Sequence, residues 1–198
     1  LGLVGSEMCI RDRTDVGRNK AEGLSQRLQA DYPHLVVESR ACSLHHLISH
    51  DADLLAEADL IVAATGNWVA ESALNRWHLH QERARPILYG WTEAHACAGH
   101  AVVVGNRDGC FQCHIGRTGA PHLKVVEWPD GGDANHEEPA CGAHYQPYGP
   151  VELAYVTAMI AEVALDSILS PPDQSFSRVF VASERRIAGL GGRLTTAL

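Results

Sequence analysis

The sequence predicts an α/β fold in which a mostly parallel sheet is flanked by helices. Three observations predict it. Runs rich in β-branched residues alternate with segments of helical period, which is the order of a doubly wound sheet. The run 59-DLIVAAT-65 is almost continuously apolar and suits a strand buried on both faces. A stretch rich in Gly, Pro, Asp and His, 105–150, then precedes one strongly apolar helix. Compact domains keep loops of that length for function or motion.

Taken in order, the first thirteen residues, LGLVGSEMCIRDR, show no helical or strand period and no capping logic. They resemble the translation of a sequencing adapter, a peptide found at the broken ends of metagenomic gene predictions. On that reading residues 1–13 are non-native, the natural chain resumes near Thr14, and 14–198 is one partial domain. From Arg18 to Asp31 the apolar positions Ala21, Leu24, Leu28 and Ala30 recur at helical spacing, and Pro33 closes the segment. The β-branched stretch 35-LVVESRAC-42 reads as a strand, and 51–58 as a short helix or turn. After 59–65 comes a Gly-Asn turn and a helix over 68–83, with Val69, Ala73, Leu74 and Trp77 on one face. Strands follow at 87-ILYGWTE-93 and 100-HAVVVG-105. Residues 150–169 place Val151, Ala154, Ala158, Ala161 and Leu165 at helical spacing, and Pro171-Pro172 stops that helix. The tail, 177-SRVFVAS-183 and 185-RRIAGL-190, reads as a C-terminal β-hairpin.

The totals exclude several functions. With 198 residues, 45% of them hydrophobic, the chain can bury the core of a single domain. Its formal net charge is -8 and it has no basic run, so neither nucleic acid nor an anionic membrane is an expected partner. No apolar stretch approaches the roughly 18 residues of a membrane span. No secretory leader pattern is present. Of the six cysteines only Cys110 and Cys113 are close in sequence, which reads as reduced thiols in a cytoplasmic protein. Among the twelve histidines, His34, His50, His78 and His80 read as solvated surface residues.

Four short constellations carry chemistry. In 15-DVGRNKA-21, Lys20 opens a helix, where it and the helix dipole can hold a phosphate; a solvated surface lysine is the plainer reading. In 59-DLIVAATGN-67, Thr65, Gly66 and Asn67 stand at the carboxyl end of a strand, where open α/β sheets bind ligands. Asn67 can orient a ligand there, cap the following helix, or do both. Cys110-x-x-Cys113 supplies half of a tetrahedral zinc site, and 141-CGAH-144 has matching spacing. A redox role for the pair is weaker, because no helix clearly begins between the cysteines. Cys141 lies in a polar loop ahead of a helix, a setting in which a thiolate nucleophile is found. The carboxylates of 137-EE-138 act against it by raising a thiol pKa.

In this order the pieces resemble the ThiF-type adenylyltransferases, the superfamily of ubiquitin-activating and sulfur-carrier-activating enzymes. The resemblance runs from about Asp15 to Leu190. It is carried by 16-VGRNKA-21, 59-DLIVAATGN-67, Leu74-Asn75, the Gly-His-Ala-Val-Val-Val strand, Cys-x-x-Cys, and a crossover loop with a cysteine before a long helix. The wording of 88–104 looks closest to bacterial members found with ubiquitin-conjugating-like domains. The resemblance implies a Rossmann-like sheet that binds Mg-ATP and adenylates the C-terminus of a ubiquitin-like or other small protein. It implies that Lys20, Thr65 and Asn67 contact the nucleotide, that Cys110 and Cys113 hold zinc, and that Cys141 takes the acyl group as a thioester. A homodimer and a conjugating-enzyme-like partner are implied too. Two departures stand out. Gly66 replaces an aspartate that helps place magnesium in many members, and no second Cys-x-x-Cys pair occurs near the C-terminus. The family's glycine-rich phosphate loop would precede Asp15, so the chain as it stands is expected not to bind ATP normally.

A second reading is a zinc-stabilised interaction domain without turnover, binding a ubiquitin-like or conjugating partner. A nucleotide-dependent oxidoreductase fits less well, since no Gly-x-Gly-x-x-Gly follows a strand and opens a helix.

Overall fold

The computed structural model describes residues 17–82, 85–105, 109–132, 136–137, 144–145 and 147–196, of which 136–137 and 144–145 are described by backbone alone. Along the chain run helices α1 (Lys20–Asp31), α2 (Leu44–His50) and α3 (Ala52–Ala56), strand β1 (Ile61–Ala63), helix α4 (Trp68–Leu79), and strands β2 (Ile87–Thr92) and β3 (Ala98–Val104). A 3-10 turn at Phe111–Cys113 and the short strands β4 (Val126–Glu127), β5 (His136–Glu137) and β6 (His144–Tyr145) follow. Helix α5 (Pro150–Leu169), strand β7 (Phe176–Val181), helix α6 (Glu184–Gly189) and strand β8 (Arg193–Leu194) complete it.

The α/β class holds, with a central sheet in the order β1-β2-β3-β7. Only β1 and β2 run parallel; β2–β3 and β3–β7 are antiparallel. The sheet is therefore mixed rather than mostly parallel. The cause is connection length. Helix α4 gives β1→β2 the long crossover that a parallel pair needs, whereas residues 93–97 are enough only for a hairpin.

Alternation along β2 and β3 makes three layers. Ile87, Tyr89, Val102 and Val104 face one side, where they pack with Leu55, Leu74, Phe111 and Ile115 beneath α2, α3 and α4. Leu88, Ala101 and Val103 face the other side and meet Met159, Ile160, Val163 and Ala164 of α5. A side chain on Gly99 would run into Val156, and one on Gly90 into Ile160, so these glycines form the bed on which α5 lies. Val156 and Val163 are fully buried there, each contributing roughly 1.5–3 kcal/mol.

Four expectations need correction. The stretch 35–42 forms no strand. Among the described residues its backbone has no neighbouring strand, and it is held by α1: Gln29 Nε2 donates to Leu35 O, Val37 N donates to Gln29 Oε1, and Ser25 Oγ donates to Val37 O. Strand β1 is three residues long and not buried on both faces; Val62 is half exposed because β2 is its only partner among the described residues. The C-terminal hairpin is absent, because 185–190 lies largely in α6, which Ser183 caps by accepting from Arg186 N; β8 pairs with β4 instead. His78 is buried, not solvated, with Nε2 donating to the carbonyl of Arg85 at 2.7 Å. The sequence reading also missed α2, whose start is marked by Ser43 accepting from His46 N.

Candidate functional site at the Thr65–Gly66 turn

The carboxyl end of β1 leads into a tight turn. Gly66 takes φ +64°, a left-handed conformation that glycine adopts without steric cost. Glu71, one turn into α4, reaches back to fix the turn. Its Oε1 accepts from Thr65 N at 2.9 Å and from Thr65 Oγ1 at 2.8 Å. Burial pushes the Glu71 carboxyl above its ordinary value, against the opposing pull of hydrogen bonds from Thr65 and Gly66. Thr65 Oγ1 also accepts from Asn67 N, and Asn67 Oδ1 accepts from Val69 N and Ala70 N. Asn67 is thus the N-cap of α4.

The turn separates two cavities. The first, about 690 Å³, lies between α1, the start of α2 and the outer edge of β1. Its floor is apolar, from Leu44, Leu47, Leu55, Ile61 and Leu74. Its polar rim carries Arg18, Lys20, Arg40 and Thr65, and none of its described lining residues is a carboxylate. Lys20 stands in the first turn of a twelve-residue helix whose N-cap is Asn19. In a chain of net charge -8, the three cations Arg18, Lys20 and Arg40 give this rim a locally positive character. Arg40 forms a surface pair with Glu38 at 3.0 Å, of the kind that an incoming phosphate displaces at little expense.

The second cavity, about 500 Å³, lies on the other side of Gly66 at the carboxyl end of β2. Trp68, Trp91 and Phe111 wall it, Glu71 and Glu93 lie at its base, and Lys124 stands at its rim. Its wall is preorganised. Glu93 is buried, and its carboxylate accepts from His100 Nε2 (2.8 Å), Val125 N (2.8 Å) and Val126 N (3.0 Å). Trp91 stacks on His100 with ring centroids 4.8 Å apart. Tyr89 stacks on Phe111 at 4.3 Å, and burial drives its phenol far above the ordinary range. Asn75, wholly buried in α4, accepts from Phe111 N at 2.9 Å and so ties the Cys110–Cys113 turn to that helix.

Cys110 and Cys113 lie 3.3 Å apart, sulfur to sulfur, as hydrogen-bonded free thiols without a disulfide. Tetrahedral zinc with Zn–S bonds near 2.3 Å sets two thiolates about 3.7 Å apart, so a small shift would fit the pair to half of such a site. Their hydrogen bond pushes the Cys113 thiol up. Among the described residues no group of three or more His, Cys, Asp or Glu side chains converges for a metal.

Of the residues singled out in the sequence, Lys20 and Thr65 meet in one cavity, and Asn67 sits beside it as a cap. Cys110 and Cys113 flank Phe111 by the second cavity. Cys141 lies outside the described residues, and only the backbone of His144 is described. Sequence reasoning missed Glu71 and Glu93. For Glu93 a signal existed, because it is the one charged residue in the apolar run 87–104. Glu71 gave none, since it stands one place past the capping-box position.

A family model described as the ThiF family matches residues 8–187. No curated protein matches the chain significantly. Among the described residues, no helix is long and apolar enough to cross a membrane.

Proposed function

This chain belongs to the ThiF family, within the E1-like adenylyltransferase superfamily, and on that premise we propose that it takes part in ATP-dependent adenylation of the C-terminal carboxylate of a small, ubiquitin-like protein, followed by thioester formation on Cys141. The observation that carries this reading is the cavity at the carboxyl end of β1, where ligands of open α/β sheets lie, with Arg18, Lys20 and Arg40 on its rim.

In this reading Lys20, with Arg18 and Arg40, holds phosphate oxygens and offsets the charge that builds on the α-phosphate as the substrate carboxylate attacks it. The α1 dipole acts in the same direction. Thr65 and Asn67 contribute by fixing the turn beside the nucleotide. Their side chains already serve the backbone, so their contact with ATP is through position. The acyl chain lies in the second cavity and crosses Gly66, around which a side chain would meet no atom within 4 Å. Pyrophosphate leaves as the acyl adenylate forms. The Cys141 thiolate then attacks the acyl carbon and AMP leaves, so the acyl group stays activated. The described lining of the nucleotide cavity offers no carboxylate for magnesium, and none of these roles requires one. If zinc is bound, Cys110 and Cys113 supply two of its ligands in a structural role. The ubiquitin-like substrate, a conjugating-enzyme-like partner and a homodimer rest on the family resemblance.

The test uses the full-length natural protein. Lys20→Met is expected to weaken ATP binding at least tenfold in calorimetry while leaving the melting temperature unchanged. Equal ATP affinity in the variant would remove the anion site from this cavity. Cys141→Ser is expected to abolish the thioester and retain ATP–pyrophosphate exchange. A full-length wild type that neither exchanges pyrophosphate nor forms a thioester would support the turnover-free interaction domain, a reading that the engagement of Asn67 as a helix cap favours.

A further inference from the structure

Helix α2 carries three histidines in seven residues, 44-LHHLISH-50. Two of them, His46 and His50, are four apart, so they share one face of the helix, one turn above the other. Their rings stack, with centroids 4.2 Å apart and planes 17° from parallel. His50 Nδ1 donates to the carbonyl of His46 at 3.1 Å. A carbonyl only accepts, so the neutral ring carries its proton on Nδ1 and its lone pair on Nε2. Metal-bound histidines are held in this way, with the second ring nitrogen donating to a carbonyl that fixes the tautomer and the ring orientation.

The rest of the helix presents the pair to solvent. Leu44, Leu47 and Ile48 pack against the core beneath, which turns His46 and His50 outward, and both are exposed. Two imidazoles bound at about 2.0–2.1 Å, at right angles, stand about 3 Å apart, nitrogen to nitrogen. The stacked rings are already neighbours, and the Cβ–Cγ torsion of histidine is soft. Rotation of the His46 ring therefore brings one of its nitrogens beside Nε2 of His50. His45 differs: the residue four on from it is Ser49, whose hydroxyl donates to His45 O.

We propose that His46 and His50 form a two-histidine site for a late first-row divalent metal (nickel, copper or zinc) on the outer face of α2. Imidazole suits these ions, whereas magnesium and calcium take oxygen ligands. Among the described residues no group of three or more His, Cys, Asp or Glu side chains converges, so the remaining positions on the metal go to water or to a ligand from solution. Chelation needs the two rings one turn apart, which the folded helix provides. A seven-residue helix is too short to hold by itself, so the metal fastens it. Leu44 and Leu47 line the first cavity, and a metal here stiffens that wall from outside. The site is independent of the adenylation reading.

The test uses the tag-free full-length protein and nickel chloride, an ion that does not oxidise thiols. In hydrogen exchange, peptides covering 44–50 should exchange at least fivefold more slowly with nickel and be unmoved by magnesium chloride. His46→Ala and His50→Ala should each abolish that protection, and His45→Ala should keep it. In calorimetry the first two variants should bind nickel at least tenfold more weakly at this site, and His45→Ala as wild type does. All three side chains are exposed, so each variant should melt with wild type when no metal is added; His46→Gln and His50→Gln replace any alanine variant that does not. Protection that nickel fails to produce in wild type, that survives His46→Ala, or that His45→Ala also removes would overturn the site. Heat of nickel binding with unchanged exchange in 44–50 would place the ion at the cysteines and would overturn it too.

Discussion

The two cavities that meet at Thr65 and Gly66 are walled by opposite means. On the cationic side, α1 buries no residue, Val36 is 90% exposed, and the wall is tied to itself by a few side-chain hydrogen bonds from Ser25 and Gln29. On the aromatic side, Tyr89, Phe111, Glu93, His100 and Asn75 are all buried and cross-linked by hydrogen bonds and stacked rings. A phosphate needs mobile cations that close on it. An extended acyl chain needs a fixed channel, since a misplaced carboxylate loses the near-attack geometry. The contrast teaches that the rigid packing and the proposed anion site reside in different walls, so substitutions should separate them.

The largest effect should come from Glu93→Ala. It leaves three buried donors unpaired, on His100, Val125 and Val126. Each costs about 1–3 kcal/mol, so urea unfolding should show a loss of ~3 kcal/mol or more. A loss under ~1 kcal/mol would break the picture of a rigid wall. Asn75→Ala comes next. It frees Phe111 N inside the core and should cost about 1–3 kcal/mol, with faster alkylation of Cys110 and Cys113 as their turn loosens. Unchanged alkylation would mean that Asn75 does not hold that turn.

The same contrast decides how much the sequence revealed. The apolar stretches 87–93 and 100–105 and the 3.6-residue period of 150–169 are local patterns, and they became β2, β3 and α5. The runs 35–42 and 185–190 misled for different reasons. The first has strand composition but finds no partner strand, and strand pairing is a property of neighbours rather than of a segment. The second is short, and a single Ser183 cap outweighs its strand-like look. At the candidate site, the placement of Lys20 and Thr65 was legible because a helix start and a strand end both have sequence signatures, and the two residues line one cavity. The Glu93–His100 bond was not legible, since it depends on a hairpin turning over residues 93–97. His78 was misread for a similar reason: its burial comes from the Arg85 backbone folding across α4, which no helical pattern announces.

His78 offers the next test, by pH. Burial lowers its pKa below the ordinary 6.5, against a smaller upward effect from its bond to Arg85 O. Its Nδ1 is buried without a partner. The unfolded chain therefore takes up this proton first. Stability due to the neutral ring is present above pH 6.5 and is lost as pH falls toward the lowered value. The slope is at most about 1.4 kcal/mol per pH unit. His78→Gln keeps an N–H donor for Arg85 O and does not titrate. Wild type should lose more melting temperature than His78→Gln between pH 7 and pH 5. The two curves are compared with each other, because Glu71, whose raised pKa acts in the opposite direction on acidification, is common to both. Parallel curves would place His78 in contact with water and break the assignment of α4 to the rigid side.

The smallest effect belongs to the junction itself. Gly66 has no atom within 4 Å of where a side chain would start, so substitution there meets no clash and only the backbone angle resists it. Alanine should cost roughly 1 kcal/mol, whereas asparagine, which visits the left-handed region more readily, should cost a few tenths. In the full-length protein, both variants should keep their ATP affinity, because Lys20, Arg18 and Arg40 are on the other side of the turn. On the proposed function both should slow adenylation, because the new side chain would stand where the acyl chain is proposed to pass from one cavity to the other. If Gly66→Asn lowers ATP affinity but leaves the acyl step unchanged, the turn belongs to the phosphate site alone, and the two cavities do not act as one.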